Sequence, residues 1–380
     1  MSSTPTPLHA LHAAGQSIWL DFIDRAMLGT GELERKIRDE ALSGMTSNPT
    51  IFEKALATGT AYDAQLRAAA AAGTRDPWAL FELVETDDVR TACDAFAGVY
   101  AASGRKDGYV SIEVSPGSAH DAAATIAEAH RLWQTVDRPN VMIKVPGTAE
   151  GCVALRRLIA DGLNVNVTLL FAVEAHARVI DAYLAGLEDR AAAGGDLAGI
   201  ASVASFFVSR VDGAIDPALD AMVQAGTLPR ARAVALQGKA AIANAQRAYR
   251  LFQARFRGAR WEALAARGAQ VQRPLWASTS TKNPAYRDVL YVEQLIGPDT
   301  VNTMPPATFD AFRDHGVTAR TVDADLAAAD AVLDELAALG LPLDAVTDRL
   351  LADGLAAFQK SFDSLIAGIA AKTAALDAVS

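Results

Sequence analysis

Hydrophobic and polar positions alternate with period two in a series of short segments along this chain, and helical patterns separate them. Ser17–Phe22 sets Ile18, Leu20 and Phe22 on one face and Ser17, Trp19 and Asp21 on the other. Ser43–Asn48, closed by Pro49, is a second strand candidate, and Tyr109–Val114 is a third. In Asn140–Thr148 the β-branched Val141, Ile143 and Val145 alternate with Met142 and Lys144 until Pro146 and Gly147 end the pattern. Asn164–Leu169, Ile200–Val208, Pro274–Thr279 and Thr300–Met304 complete eight candidates. After a loose start, helical patterns cover Leu33–Leu42, several pieces of Ile51–Tyr100, Asp121–Trp133, Gly151–Ala160 and Val173–Ala193. Two or three more helices are expected within 216–267.

Eight strands with helices between them predict an α/β fold, a (β/α)8 barrel of the TIM type, with the doubly wound sheet as the alternative. The expected organisation is one domain over residues 1–380, with helical excursions at about 52–100 and 216–267 and C-terminal helices at about 308–378.

Parallel strands covered on both sides read as nearly continuous apolar runs. Several strands here break that rule on one parity only. Tyr109, Ser111 and Glu113 oppose Val110, Ile112 and Val114; Asn164, Asn166 and Thr168 oppose Val165, Val167 and Leu169. With the aliphatic face toward the helices, Asp21, Glu113, Lys144, Asn166 and Thr168 project into the barrel near the C-terminal strand ends, where barrel enzymes carry their chemistry. A satisfied structural network is the competing account of these five groups.

Composition narrows the partners. The chain is 51% hydrophobic and 21% charged, enough for a large core, and its formal net charge is −10. That charge argues against nucleic acid, so an anionic substrate needs a local basic cluster. Cys93 and Cys152 have no metal-ligand spacing and read as reduced thiols. With no basic leader and no apolar stretch of spanning length, a soluble, cytoplasmic protein without membrane partners is expected.

Each inward group suggests its chemistry. A lysine among apolar neighbours is driven toward the free amine by desolvation, and moving it from ~10.4 to near ~7 corresponds to roughly 4–5 kcal/mol. A free amine is what a Schiff base with a carbonyl requires. Asp21 and Glu113 suit separate acid–base tasks if their surroundings part their pKa values. Thr168 can position a water, and Asn48 and Asn166 suit sugar hydroxyls. The Asn48-Pro49 pair also reads as plain turn chemistry. Arg210 suits bidentate phosphate binding, with an ion pair to Asp212 as the competing account. Ser280-Thr281-Lys282-Asn283 adds hydroxyls and a cation after the seventh strand.

These segments together resemble the transaldolases, Schiff-base enzymes of the non-oxidative pentose phosphate pathway. GMTSNPTIF at Gly44–Phe52, IEVSP at Ile112–Pro116, MIKVPGT at Met142–Thr148, NVNVTLLF at Asn164–Phe171, SFFVSRVD at Ser205–Asp212 and STSTKN at Ser278–Asn283 carry the resemblance. The longer excursions look like those of the larger bacterial members. The resemblance implies that Lys144 forms the Schiff base with a ketose and that Asp21 takes the sugar hydroxyl proton during carbon–carbon cleavage. It implies that Glu113, through a water on Thr168, serves carbinolamine formation and dehydration. Thr46, Asn48, Ser111, Asn166 and Ser205 would hold the dihydroxyacetone fragment, Phe207 would line the site, and Arg210, Ser280 and Lys282 would hold phosphate. Many relatives carry arginine where this chain has Lys282, and a lysine offers a point charge instead of a bidentate fork. Sugar phosphates are the implied partners, without metal or cofactor, and a homodimer is a compatible assembly. Shorter aldolases on the same scaffold look to have tyrosine where Phe207 stands; a non-catalytic sugar-phosphate-binding barrel is the third reading.

Overall fold

The computed structural model describes residues 5–57 and 59–377, so position 378, the far end of the expected C-terminal helices, lies outside the described residues. Eight parallel strands close into a barrel in sequence order: β1 (Gln16–Asp21), β2 (Gly44–Thr46), β3 (Tyr109–Glu113), β4 (Val141–Pro146), β5 (Val165–Leu170), β6 (Ser202–Phe207), β7 (Arg273–Ala277) and β8 (Thr300–Met304). The expected (β/α)8 barrel is therefore the observed architecture, and the doubly wound alternative is not.

Parity along each strand divides the side chains as the sequence patterns require. Ile18, Leu20, Ile112, Val141, Ile143, Val145, Val165 and Val167 are fully buried in the layer shared with the helices. Inside the barrel, Trp19 and Gly44 are register partners, and a Cβ on Gly44 would lie 2.5 Å from the Trp19 ring. Gly44 is thus the gap that admits an indole into the barrel interior. Asp107 holds that indole from below, accepting from Trp19 Nε1 at 2.7 Å and from the Ser17 hydroxyl. Arg273 donates to Ser17 Oγ at 2.6 Å and extends the network across the barrel floor.

Most boundaries fall within a residue or two of the expected ones; the differences have local causes. Pro146 ends the pattern but remains in β4, because its carbonyl, unlike its missing N–H, is free to pair and its φ fits a strand end. The fifth strand reaches Leu170 through an irregularity after Val167, with Leu169 at φ 60°. The loose start contains the helix Pro7–Ala13, with proline in its first turn and Leu8 and Leu11 fully buried. The first excursion forms Pro49–Ala57, Asp63–Ala71 and Pro77–Ala102, divided at Gly59, Gly73 and Asp76-Pro77, residues that end helices and start them. The second contains three complete helices, Arg230–Leu236, Ala240–Arg255 and Ala259–Ala265, after the end of Ser209–Gln224. The last three helices are Pro306–His315, Leu326–Ala338 and Leu343–Asp377. No helix among the described residues is long and apolar enough to cross a membrane.

His176, on the helix Val173–Ala192, is fully buried, has its ring centre 6.0 Å from that of Phe206, and finds no hydrogen-bond partner among the described residues on either ring nitrogen. Burial pushes its pKa down to about 4. The unfolded chain binds this proton near the ordinary value of about 6.5 and the folded chain only near 4, so stability is lost as pH falls through that window. His176→Leu is expected to flatten the loss of urea stability between those two pH values by about 1–3 kcal/mol relative to the parent chain. Equal pH dependence in the two proteins would remove His176 as its cause.

Candidate active site

Lys144 lies two residues before the end of β4, flanked in register by Glu113 of β3 and Asn166 of β5. Its side chain enters the barrel, as the alternation predicts, and is 5% exposed. Nζ donates to Glu113 Oε2 and to the Ser47 carbonyl oxygen, each at 3.0 Å. The sequence suggests an amine among aliphatics; the structure instead supplies a buried ion pair. The short β2 explains this, because the chain leaves the barrel wall after Thr46 and lays the Ser47 carbonyl over the mouth. The Ser47 hydroxyl secures that turn by donating to the Ser111 carbonyl at 2.8 Å.

Asp21 ends β1 beside Thr46, whose hydroxyl donates to Asp21 Oδ1 at 2.7 Å. Thr303 of β8 backs Thr46, oxygen to oxygen at 2.7 Å. Burial raises the pKa of Asp21, opposed by the charge of Lys144, the Thr46 hydrogen bond and the charge of Arg210. Glu113 is also raised by burial, opposed by its charge and hydrogen-bond interactions with Lys144 and reinforced by Asp21. The two carboxyls are therefore displaced in the same direction, and their partners distinguish them. Glu113 accepts a hydrogen bond from the Lys144 amine, whereas Asp21 is held by the Thr46 hydroxyl. A carboxyl raised by burial is a better proton acceptor in its ionised form than one left in water.

Asn166 is fixed at both ends of its amide: Nδ2 donates to Ser111 Oγ at 3.0 Å, and Oδ1 accepts from Ser205 Oγ at 2.6 Å. Ser111 is fully buried, and neither it nor Asn166 or Glu113 lines the cavity surface. Ser111 thus supports Asn166 from behind. Asn48 lines the cavity while its Oδ1 accepts from the Ile51 N–H at 3.1 Å, so both the turn and the site readings of this residue apply. Thr168 sits at the β5 irregularity with a buried hydroxyl that has no partner among the described residues, facing the same cavity. Bulges commonly re-aim a side chain beside an active site.

The cavity, of roughly 540 Å³, opens at the C-terminal mouth. Lys144, Asp21, Thr46, Thr168 and Ser205 line it together with Phe207, Arg210, Ser280 and Lys282. Asp212 accepts from the Ala241 N–H at 2.8 Å and the Tyr291 hydroxyl at 2.9 Å, which removes it as the partner of Arg210. The Arg210 guanidinium lies 5.1 Å from the Phe207 ring centre. Burial lowers its pKa, with the charge of Asp21 opposing. Lys282 Nζ donates to Ser280 Oγ at 2.7 Å on the exposed rim. Besides Lys144, whose charge Glu113 pairs, the cations Lys54, Arg210 and Lys282 line the cavity with the carboxylate of Asp21. In a chain of net charge −10, that local excess is the basic cluster an anionic ligand requires.

Sequence patterns do not single out Lys54, Thr303 or Phe358. Lys54 falls in a helix whose charges read as solvated, Thr303 in a strand without clear alternation, and Phe358 in an amphipathic helix remote in sequence from every strand.

A closed barrel with a lysine–glutamate pair under a cationic mouth is the architecture of an enzyme that works by amine chemistry on an anionic carbonyl compound. The sequence profile described as Transaldolase/Fructose-6-phosphate aldolase matches residues 18–369. Among similar proteins, "Transaldolase" of Mycolicibacterium smegmatis is 49% identical over 367 residues, covering 96% of this chain and 97% of the relative. "Transaldolase 2" of Nostoc sp. is 47% identical over 370 residues, covering 96% and 97%, and "Transaldolase" of Mycobacterium ulcerans is 48% identical over 378 residues, covering 99% and 100%. The chain belongs to the transaldolase/fructose-6-phosphate aldolase family.

Thr46→Val keeps the shape of residue 46 and removes the hydrogen bond that lowers the Asp21 pKa. The Asp21 pKa is expected to rise further, carrying the acid limb of the pH–rate profile upward, with kcat reduced about tenfold at neutral pH. An unchanged acid limb would separate Asp21 from that limb.

Proposed function

We propose that this chain is a transaldolase, moving a dihydroxyacetone unit from sedoheptulose 7-phosphate or fructose 6-phosphate to an aldose phosphate through a Schiff base on Lys144. The observation that carries this reading is the 3.0 Å Lys144–Glu113 pair at the floor of a cavity whose opposite end is cationic.

In this reading Glu113 takes the proton that frees Nζ for attack on the ketose carbonyl. It returns a proton, through a water on Thr168, when the carbinolamine loses its hydroxyl. The resulting iminium is the electron sink for cleavage of the neighbouring carbon–carbon bond. Asp21 removes the hydroxyl proton whose electron pair becomes the aldehyde carbonyl, and its burial suits it to that transfer. Asn48, Thr46 and Ser205, which line the cavity, orient the three-carbon fragment, and Asn166, locked between Ser111 and Ser205, holds Ser205 in place. Arg210 stands over Phe207, with no carboxylate among the described residues in hydrogen-bond contact, and, with Ser280 and Lys282, receives the phosphate. After the first aldose departs, a second aldose phosphate accepts the held unit and the same steps run in reverse.

Incubation with fructose 6-phosphate followed by borohydride reduction and peptide mapping tests this directly. The expected outcome is a reduced dihydroxyacetone adduct on Lys144 and none in Lys144→Ala. An adduct on another lysine, or none in the parent chain, would overturn the reading. Release of free dihydroxyacetone as the main product, with no transfer to erythrose 4-phosphate, would instead identify a fructose-6-phosphate aldolase. Lys282→Ala is expected to raise KM for phosphorylated substrates about tenfold with kcat nearly unchanged, the signature of lost binding of a distal charge. Unchanged kinetics would take Lys282 out of the phosphate site.

A further inference from the structure

The C-terminal helix Leu343–Asp377 crosses the mouth of the barrel, and its anchors lie on opposite sides of the ring. On one side, Gly354 passes over the β5–β6 edge: a Cβ there would lie 3.0 Å from Leu169 Cδ2 and 3.5 Å from Arg210 Nη1. Glycine inside a helix costs stability, and here its missing side chain lets the helix pass close over the cationic end of the cavity. On the other side, the helix is tied to the elements that follow β2. Ser361 Oγ receives a hydrogen bond from Thr50 Oγ1 at 2.9 Å, and Phe362 packs edge-on against Trp78 and Phe81. Lys372 pairs with Asp63 at 3.0 Å and donates to the Gly59 carbonyl at 2.9 Å. In a ring of eight strands, β2 and β6 are diametrically opposed, so the helix is a beam across the opening.

Phe358 stands at midspan, one turn past Gly354, and is the residue of this helix that lines the cavity. It is 7% exposed, and its ring faces the same space as Lys144, Asp21 and Phe207. It carries no polar atom, so it does not bind a sugar hydroxyl. What an aromatic ring supplies over a reacting amine is exclusion of water.

We propose that Phe358 is a specificity-determining residue that sets how the covalent three-carbon intermediate divides between transfer and release. The proposal rests on the Lys144 reading given above. After carbon–carbon cleavage the held fragment is an enamine on Nζ. In transfer, its nucleophilic carbon forms a bond to the aldehyde carbon of the acceptor, whose oxygen takes a proton. In release, the same carbon takes a proton instead, and water then adds to the iminium carbon. The C–N bond breaks, leaving the lysine amine and free dihydroxyacetone. Transfer likewise leaves an iminium that water hydrolyses, so the two routes differ only in whether the enamine carbon takes the acceptor carbon or a proton. The beam with Phe358 at its centre restricts the water that would carry that proton to the enamine carbon.

The test measures two products from fructose 6-phosphate: sedoheptulose 7-phosphate formed with erythrose 4-phosphate, and free dihydroxyacetone formed without an acceptor. Phe358→Ala is expected to lower the ratio of transfer to release at least about fivefold, while Phe358→Leu restores most of it. Phe358→Gln, which keeps the volume and adds polarity, is expected to lower the ratio as well, and it carries the test if the alanine variant does not fold. A ratio equal to that of the parent in the folded polar or small variant, with both rates scaled together, would overturn the proposal and leave Phe358 a packing residue. The borohydride adduct on Lys144 of the parent chain keeps the two ideas apart. Absence of the adduct defeats the covalent reading; its presence with an unmoved product ratio defeats only the role of Phe358.

Discussion

The interaction on which the site depends is the buried pair of Lys144 and Glu113. Removing either charge from water is costly, and two unlike charges at hydrogen-bond distance offset that cost only when their remaining hydrogen-bonding capacity is met. The Ser47 carbonyl meets part of it on the lysine side. Adjacent strands place the partners: Glu113 and Lys144 are register neighbours on β3 and β4, so the distance between them is a property of the sheet itself. A pair fixed in this way reorganises little when a proton passes between its members, and such preorganisation is where barrel sites gain rate.

The surroundings of the pair divide into supports and reagents. Ser111, Ser205 and Thr303 are buried hydroxyls that hold Asn166 and Thr46, and Thr46 in turn holds Asp21. Each hydrogen bond contributes about 1 kcal/mol by itself. Together they fix the rotamers of the polar groups around the cavity, a precision that counts for more in positioning a ligand than their sum does in stability. Toward the mouth the character changes from neutral hydroxyls to cations. That gradient matches a ligand with hydroxyls and a ketone at one end and a charged group at the other.

The C-terminal helix gives the mouth its shape. It belongs to no β/α repeat, yet its Gly354 lies against Arg210 and its Phe358 lines the cavity that Lys144 enters. Its anchors at Ser361, Phe362 and Lys372 bind it to the helices inserted after β2. The first excursion and the C-terminal segment are therefore one construction, a frame and the beam that rests on it.

Local pattern by itself marked the eight strands and, in the strands that alternate, the inward direction of Asp21, Glu113, Lys144, Asn166 and Thr168; closure into a barrel, and not into a doubly wound sheet, was decided by the tertiary structure. Strand parity is a local property, fixed wherever one face must be apolar. Local pattern also carried the resemblance that brings Arg210 and Lys282 into view. Only the tertiary structure decided the partner of the lysine, the release of Arg210 from Asp212, the supporting role of Ser111, and the presence of Lys54, Thr303 and Phe358 around the cavity. These depend on register between strands and on a helix returning from far along the chain. The energies that set such contacts arise between segments, and no single segment encodes them.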